Sequence, residues 1–213
     1  KAFQYANWDE HKRMASYFYW LNPDLIQDVL SPSLQAKLTN YDVSHPLLQT
    51  LGRLPKDLEP LHRMLYLETK HFLVDHNLNY TDKMGMAESV EIRVPLLDVD
   101  LVEYATSLPI HYKQRGSAGK WILRQAMRGI LPSSILSRPK TGFGGPLRHW
   151  MRTELKELVN DTLSPSNLRH RGFFDPIGVE KLRRLDAEGK VDAAYTIFAI
   201  LCVEMWCHIF LDK

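Results

Sequence analysis

Apolar residues recur every three to four positions along most of the chain, and Pro and Gly punctuate the segments that result. That period is helical, and no run alternates apolar with polar residues as a half-buried strand does. Pro23, Pro32 and Pro60 each stand where a helix can begin, because the first turn tolerates a missing N–H. Asn22 and Ser31 precede two of them and are good N-caps. Residues 60–75 carry Leu61, Met64, Leu65, Leu67 and Leu73 at near-helical spacing and predict a long core helix. Thr81 and Asp82 are placed to cap a further helix through Met84, Met86, Ala87 and Val90. Pro95 ends it, and Asp98 caps the next, over 99–108. Residues 118–130 put Ile122, Leu123, Ala126, Met127 and Ile130 on one helical face. The opposite face carries Lys120, Arg124 and Arg128 at i, i+4 and i+8.

Residues 137–146 hold two Pro and three Gly, which forbid regular structure. Such a loop can bring backbone N–H groups close to a ligand, with Arg138 and Lys140 beside them. Pro146 then opens a helix whose stripe is Leu147, Trp150, Met151, Leu155, Leu158 and Val159. Residues 192–211 are apolar enough to cross a bilayer, but Thr196, Glu204 and His208 share one edge. A carboxylate at mid-membrane depth is costly. The segment is therefore predicted to be a buried C-terminal helix with one wet edge. Truncating Trp206 is then expected to cost about 3–5 kcal/mol. The fold class predicted is mainly α.

Composition adds little until charge is mapped. The 213 residues include five Trp, nine Tyr and eight Phe, ample apolar area for a globular core. Net charge is only +2, yet residues 104–153 contain no Asp or Glu and nine Lys or Arg. These are Lys113, Arg115, Lys120, Arg124, Arg128, Arg138, Lys140, Arg148 and Arg152. The asymmetry points to an anionic partner, with a solvated basic surface as the alternative. Like charges at helical spacing repel by some tenths of a kcal/mol per pair, a cost that a bound anion offsets. A nucleic-acid partner is disfavoured, because aromatic interleaving is sparse and no known binding motif appears.

Several chemistries drop out. Gly116-Ser117-Ala118-Gly119-Lys120 fails as a phosphate loop, because Gln114 and Trp121 stand where Gly and Ser or Thr are needed. There is no GxSxG or HExxH, and the nine His lack ligand spacing, so no metal site is predicted. Glu204 and His208 could share a helix face as ligands but lack further partners. Cys202 and Cys207 lie on different helical faces and cannot bridge each other. Their sparseness favours a reducing, cytoplasmic setting. Residues 1–5 show no signal-peptide core and no initiator Met, so the chain reads as the inside of a longer protein.

Residues 82–98 read DKMGMAESVEIRVPLLD. They closely resemble the D-[RK]-x-S-M-A-x-x-x-E-x-R-V-P-[FL]-L-D signature of the glutamine-hydrolysing asparagine synthetase family. Gly119-Lys120-Trp121-Ile122-Leu123-Arg124 resembles that family's K-x-x-L-R helix. Leu131-Pro132, Arg138-Pro139-Lys140-Thr141-Gly142-Phe143 and Trp150 resemble its L-P, R-x-K-x-G-F and W stretch. Glu204-Met205-Trp206 resembles its closing L-E-x-W. Order and spacing agree over roughly residues 60–210. Gly85 departs from the pattern, standing where the family usually has Ser.

The resemblance implies the helical C-terminal half of an α/β ATP-pyrophosphatase-like (adenine nucleotide alpha-hydrolase) domain. Its SGGxDS loop, its SGxGxDE motif and the N-terminal Cys of the glutaminase domain are all absent here. It implies amidation of aspartate to asparagine through β-aspartyl-AMP, with ATP and Mg2+ and with ammonia from glutamine. The main Mg2+ ligands are expected outside this chain, in the N-terminal remainder of the same protein. Family relatives on the same fold close β-lactams, cyclise peptides or amidate other carboxylates. By resemblance Lys140 is the active-site Lys. Lys120, Arg124 and Arg138 are further candidates for an electropositive mouth, and Gly142 is a candidate for close backbone approach. Asp82 either orients an amine or cation near the substrate or caps a helix. Glu91 and Arg93 are expected to pair and fix the turn before Pro95.

Overall fold

The structure is a computed structural model that describes residues 5–142 and 144–212. Residues 1–4, on which the reading of the N-terminus rests, and Phe143 of the loop motif lie outside the described residues. The chain forms two compact units, residues 45–141 and residues 1–44 with 142–213. Both are built from helices, and the described strands amount to one two-residue hairpin, so the mainly α expectation holds.

The discontinuous unit contains the better core. Val29, Met151, Val159, Leu163, Leu168, Val179, Leu182, Ala193, Ile197, Ile200 and Leu201 pack into one buried cluster. Its helices start as the sequence predicts. Asn22 caps Pro23–Val29 by accepting from the Asp24 N–H, and Ser31 caps Pro32–Leu38 by accepting from Leu34 N–H. Ser31 also donates from Oγ to the Gly172 carbonyl at 2.7 Å, and Asp175 N–H donates to Val29 O at 2.9 Å. These bonds stitch residues far apart in sequence. The helix Pro176–Ala187 meets Pro23–Val29 backbone to backbone at Gly178, where a Cβ would lie 1.8 Å from the Asp28 carbonyl oxygen.

The C-terminal helix Ala194–Phe210 corrects the predicted orientation. Its buried face is Thr196, Ile197, Ile200, Leu201, Glu204 and Cys207, so two residues of the supposed wet edge point inward. Trp206 is 52% exposed, and Ile209 and Phe210 are also exposed. The large truncation penalty expected at Trp206 therefore does not apply. Hydrophobic residues circle this helix almost completely, so periodicity cannot choose a face. The polar partner Arg171 chooses it. No described helix is long and apolar enough to cross a membrane.

The unit 45–141 centres on one helical run. Pro60–Leu67 is α-helical, Glu68–Leu78 winds as a π-helix, and Asn79–Ala87 is α-helical again. The predicted core stripe over 60–75 ends at Leu67, because no residue of Glu68–Leu78 is buried. A π-helix bonds i to i+5, so a stripe spaced for 3.6 residues per turn drifts around the axis. The run also crosses Thr81 and Asp82 without a break, and no side chain caps it there. Asp82 is thus not a helix cap. Asp98 is one: its carboxylate accepts from Leu101 N–H at 3.2 Å and starts Val99–Ser107.

Gly85 explains the departure from the Ser of the family pattern. Its carbonyl accepts from both Glu88 and Val90 N–H, turning the chain sharply after the helix. A Cβ at residue 85 would lie 2.7 Å from Val90 O and 2.9 Å from Ile92 Cδ1. Ser89 follows with φ 57°, a left-handed residue in the same turn. Glu91 and Arg93 pair at 2.8 Å as expected, although both are exposed.

Candidate functional site

The basic segment of the unit 45–141 is organised by a hairpin rather than by one long helix. Gln114–Arg115 pair antiparallel with Ala118–Gly119, turning through Gly116 at φ 55°. Lys120 then adopts φ 55°, and the helix Trp121–Ala126 begins only after it. The predicted stripe of Lys120, Arg124 and Arg128 on a helix over 118–130 is therefore corrected. A left-handed residue breaks the helical period, and Lys120 stands outside the helix as its N-cap position. Arg128 lies beyond the helix end and pairs by a bridge to Leu131.

Arg124 is the residue this hairpin needs. Its Nε donates to Gly119 O at 3.2 Å, and its Nη1 donates to Leu136 O. Gly119 ends the hairpin and Leu136 ends the short helix Ser133–Leu136, so one guanidinium joins the two. These bonds use two of its five N–H groups and leave the positive charge uncancelled. The opposite wall is aromatic. The Arg115 guanidinium lies 3.7 Å from the Trp121 ring centroid, and Tyr112 tilts against Trp121 at 6.3 Å.

Between these elements lies a cavity of about 680 Å3. Trp121, Arg124, Gln125, Arg128, Ser133 and Ser137 supply its polar and aromatic lining, and no carboxylate lines it. Its size suits a small-molecule ligand, and its two guanidiniums and the Ser133 hydroxyl suit an anion, the Ser137 hydroxyl being spent on Ser133 O at 2.9 Å. Of the cations singled out in the sequence, Arg124 and Arg128 line this cavity. Lys120 precedes Trp121, and Arg138 follows Ser137, so both flank it in the chain. Lys120, Arg138 and Lys140 are exposed, as is Asp82 on the helix Asn79–Ala87. Gly142 begins the other unit, has no positive φ and leaves open space where a Cβ would stand. No steric demand for glycine arises there.

Sequence reasoning missed the roles of Trp121, Ser133 and Ser137. The signal available was an Arg and a Trp flanking a Gly-bearing turn, a spacing that lets the two stack across a hairpin. It also overcounted free cations. Arg148 binds Asp192 through Nε at 2.9 Å and Nη2 at 2.6 Å, and Asp192 holds its pKa up. Arg152 binds the buried Asp186 at 2.9 Å, and Asp186 also accepts from Ala193 N–H at 2.8 Å. These two arginines balance acids from outside the acid-free segment. Among the described residues no group of three or more His, Cys, Asp or Glu could hold a metal ion.

Comparisons with known proteins agree with these motifs. A family model described as asparagine synthase matches residues 3–208. The glutamine-hydrolysing asparagine synthetase 1 of Bacillus subtilis (strain 168) is 31% identical over 153 residues, covering 72% of this chain and 24% of that protein. A putative glutamine-hydrolysing asparagine synthetase of Mycobacterium bovis is 31% identical over 189 residues, covering 88% of this chain and 28% of that protein. Amidase chyE of Penicillium rubens is 31% identical over 127 residues, covering 56% of this chain and 19% of that protein. The chain thus spans about a quarter of the length of the two synthetases. No solved structure matches it.

Proposed function

The chain belongs to the asparagine synthase family, and from that premise we propose that it forms the helical C-terminal part of an ATP-pyrophosphatase-like synthetase domain. The reaction we assign to the whole protein is ATP-dependent amidation of aspartate, through β-aspartyl-AMP, with ammonia from glutamine. The observation that carries the reading is the carboxylate-free, arginine-lined cavity whose lining ends at Ser137, three residues before Lys140 in the chain. When a carboxylate attacks the α-phosphorus, negative charge builds on phosphoryl oxygens and on departing pyrophosphate. Preorganised cations are the main catalytic resource for such a step.

Arg124, held rigidly by two backbone carbonyls, supplies a fixed positive field at the cavity wall. Lys140, exposed in a loop without regular structure, is the cation assigned to meet the developing charge. Lys120 and Arg138 add to the same field. Asp82 is assigned a substrate-facing role, since it caps nothing. The main ligands of Mg2+ are assigned to the part of the protein outside this chain.

A second reading within the same chemistry is amidation of a carboxylate other than aspartate. The similarity to amidase chyE favours keeping it. A nucleic-acid role is weakened by the pairing of Arg148 and Arg152 with Asp192 and Asp186. The test is aspartate-dependent ATP–pyrophosphate exchange by the full-length protein. Exchange with aspartate supports asparagine synthesis, and exchange only with another carboxylate moves the assignment to the second reading. No exchange with any carboxylate, from a folded protein, overturns both. The isolated 213-residue chain is expected to give only background.

A further inference from the structure

We propose that Lys113, with His62 as its base, is an acyl-acceptor site, modified on Nζ by mixed carboxylic–phosphoric anhydrides such as acyl phosphates and acyl adenylates. Three elements of the unit 45–141 converge on the amine. Lys113 ends the helix Ile110–Lys113, His62 lies on Pro60–Leu67, and Thr106 lies on Val99–Ser107. Lys113 Nζ is 3.0 Å from His62 Nε2 and donates to Thr106 O at 3.0 Å. A nucleophile and a base within that distance are the arrangement general-base activation requires.

The two contacts accommodate the neutral amine. A neutral amine has two N–H groups and one lone pair. In the His62 tautomer protonated on Nδ1, Nε2 and Thr106 O accept the two hydrogens, which leaves the lone pair in the one remaining tetrahedral direction. Burial lowers the Lys113 pKa, and no carboxylate acts against that shift. The nearest cation in sequence, Arg115, is turned away onto the Trp121 ring. His111, next along the same helix, stacks on Tyr112.

In the reaction Nζ attacks the acyl carbon and the N–C bond forms. The bond from that carbon to the phosphate oxygen breaks, and phosphate or AMP leaves with the electron pair. The proton lost from nitrogen passes to His62 Nε2. Nothing is oxidised or reduced. The donor class rests on the function proposed above, in which an acyl adenylate forms on the same protein.

The test supplies the donor from outside, so its outcome is separable from that function. The intact protein is treated with acetyl phosphate, and acetylation of each lysine is followed by peptide mass spectrometry. Lys113 is expected to react about tenfold faster than the median lysine, a modest share of what a positioned base gives. His62→Gln keeps a hydrogen-bond acceptor but cannot take the proton, and it should bring Lys113 down to that median. Lys113 labelling at or below the median in the wild type overturns the proposal. A change of less than twofold in His62→Gln overturns the role of the base. Should that variant fail to fold, the wild-type pH profile decides. Lys113 should reach half its maximal rate at lower pH than the exposed lysines, and coincident profiles overturn the site. Lys140→Ala should lose pyrophosphate exchange and keep Lys113 labelling, which separates the two proposals.

Discussion

Arg171 donates from Nε to Glu204 Oε2 at 3.3 Å while its Nη1 donates to Asp212 Oδ1 at 2.7 Å. One guanidinium therefore ties Glu204 of the helix Ala194–Phe210 to Asp212, two residues past its end. Glu204 is 4% exposed, and its Oε1 has no partner. The two carboxyls respond in opposite directions. Burial raises the Glu204 pKa, although the bond from Arg171 opposes it. The bond from Arg171 lowers that of Asp212.

The sign of the pH dependence follows. A carboxyl raised in the folded state holds its proton longer there than in the unfolded chain, so stability falls as pH rises. The Glu204 effect begins near its ordinary value of 4.5 and is complete above the raised one. Asp212 acts below 3.8, where its stabilisation is lost as pH falls. Thermal denaturation should show the wild type losing stability relative to Glu204→Gln as pH rises above 4.5. Parallel curves for the two proteins would remove Glu204 as the cause.

Exposure separates two large residues of the same helix. Leu201 is 1% exposed and Trp206 is 52% exposed. Leu201→Ala should cost about 2–5 kcal/mol, the scale for buried aliphatic truncation. Trp206→Ala should cost no more than about 1 kcal/mol, as surface changes do. Urea unfolding of the two variants checks the order. A larger loss at Trp206 would show that this face is covered.

Gly85→Ser places a Cβ against Val90 O and Ile92. Overpacking of this kind costs about 1–3 kcal/mol. The variant should unfold at lower urea than the wild type. Equal midpoints would mean that the turn 85–90 relaxes freely.

If the proposed reaction holds, Lys140→Ala in the full-length protein should slow pyrophosphate release roughly 10²–10³-fold, the scale for one preorganised donor. The KM for ATP should move far less, because the lost interaction belongs to the transition state. Arg152 is no control here, since removing it strips a partner from buried Asp186. Lys37→Ala, an exposed cation at the end of Pro32–Leu38, serves instead. Equal losses in Lys140→Ala and Lys37→Ala would mean that net charge, and no particular residue, sets the rate.

Local rules carried much of the helix layout. Asn22, Ser31 and Asp98 cap helices because a short polar side chain reaches the N–H two or three residues ahead, whatever surrounds it. The family was legible too, because its motifs are runs of neighbouring residues. Three things needed tertiary structure. The π-helix Glu68–Leu78 displaced a stripe that read as core, since hydrogen-bond register is decided over whole turns. The buried face of Ala194–Phe210 was decided by Arg171, 33 residues before Glu204 in the chain. The stock of free cations was decided by Asp186 and Asp192, which neutralise arginines 34 and 44 residues away. Charge and burial depend on distance in space, and an ion pair between remote segments leaves no period in the sequence.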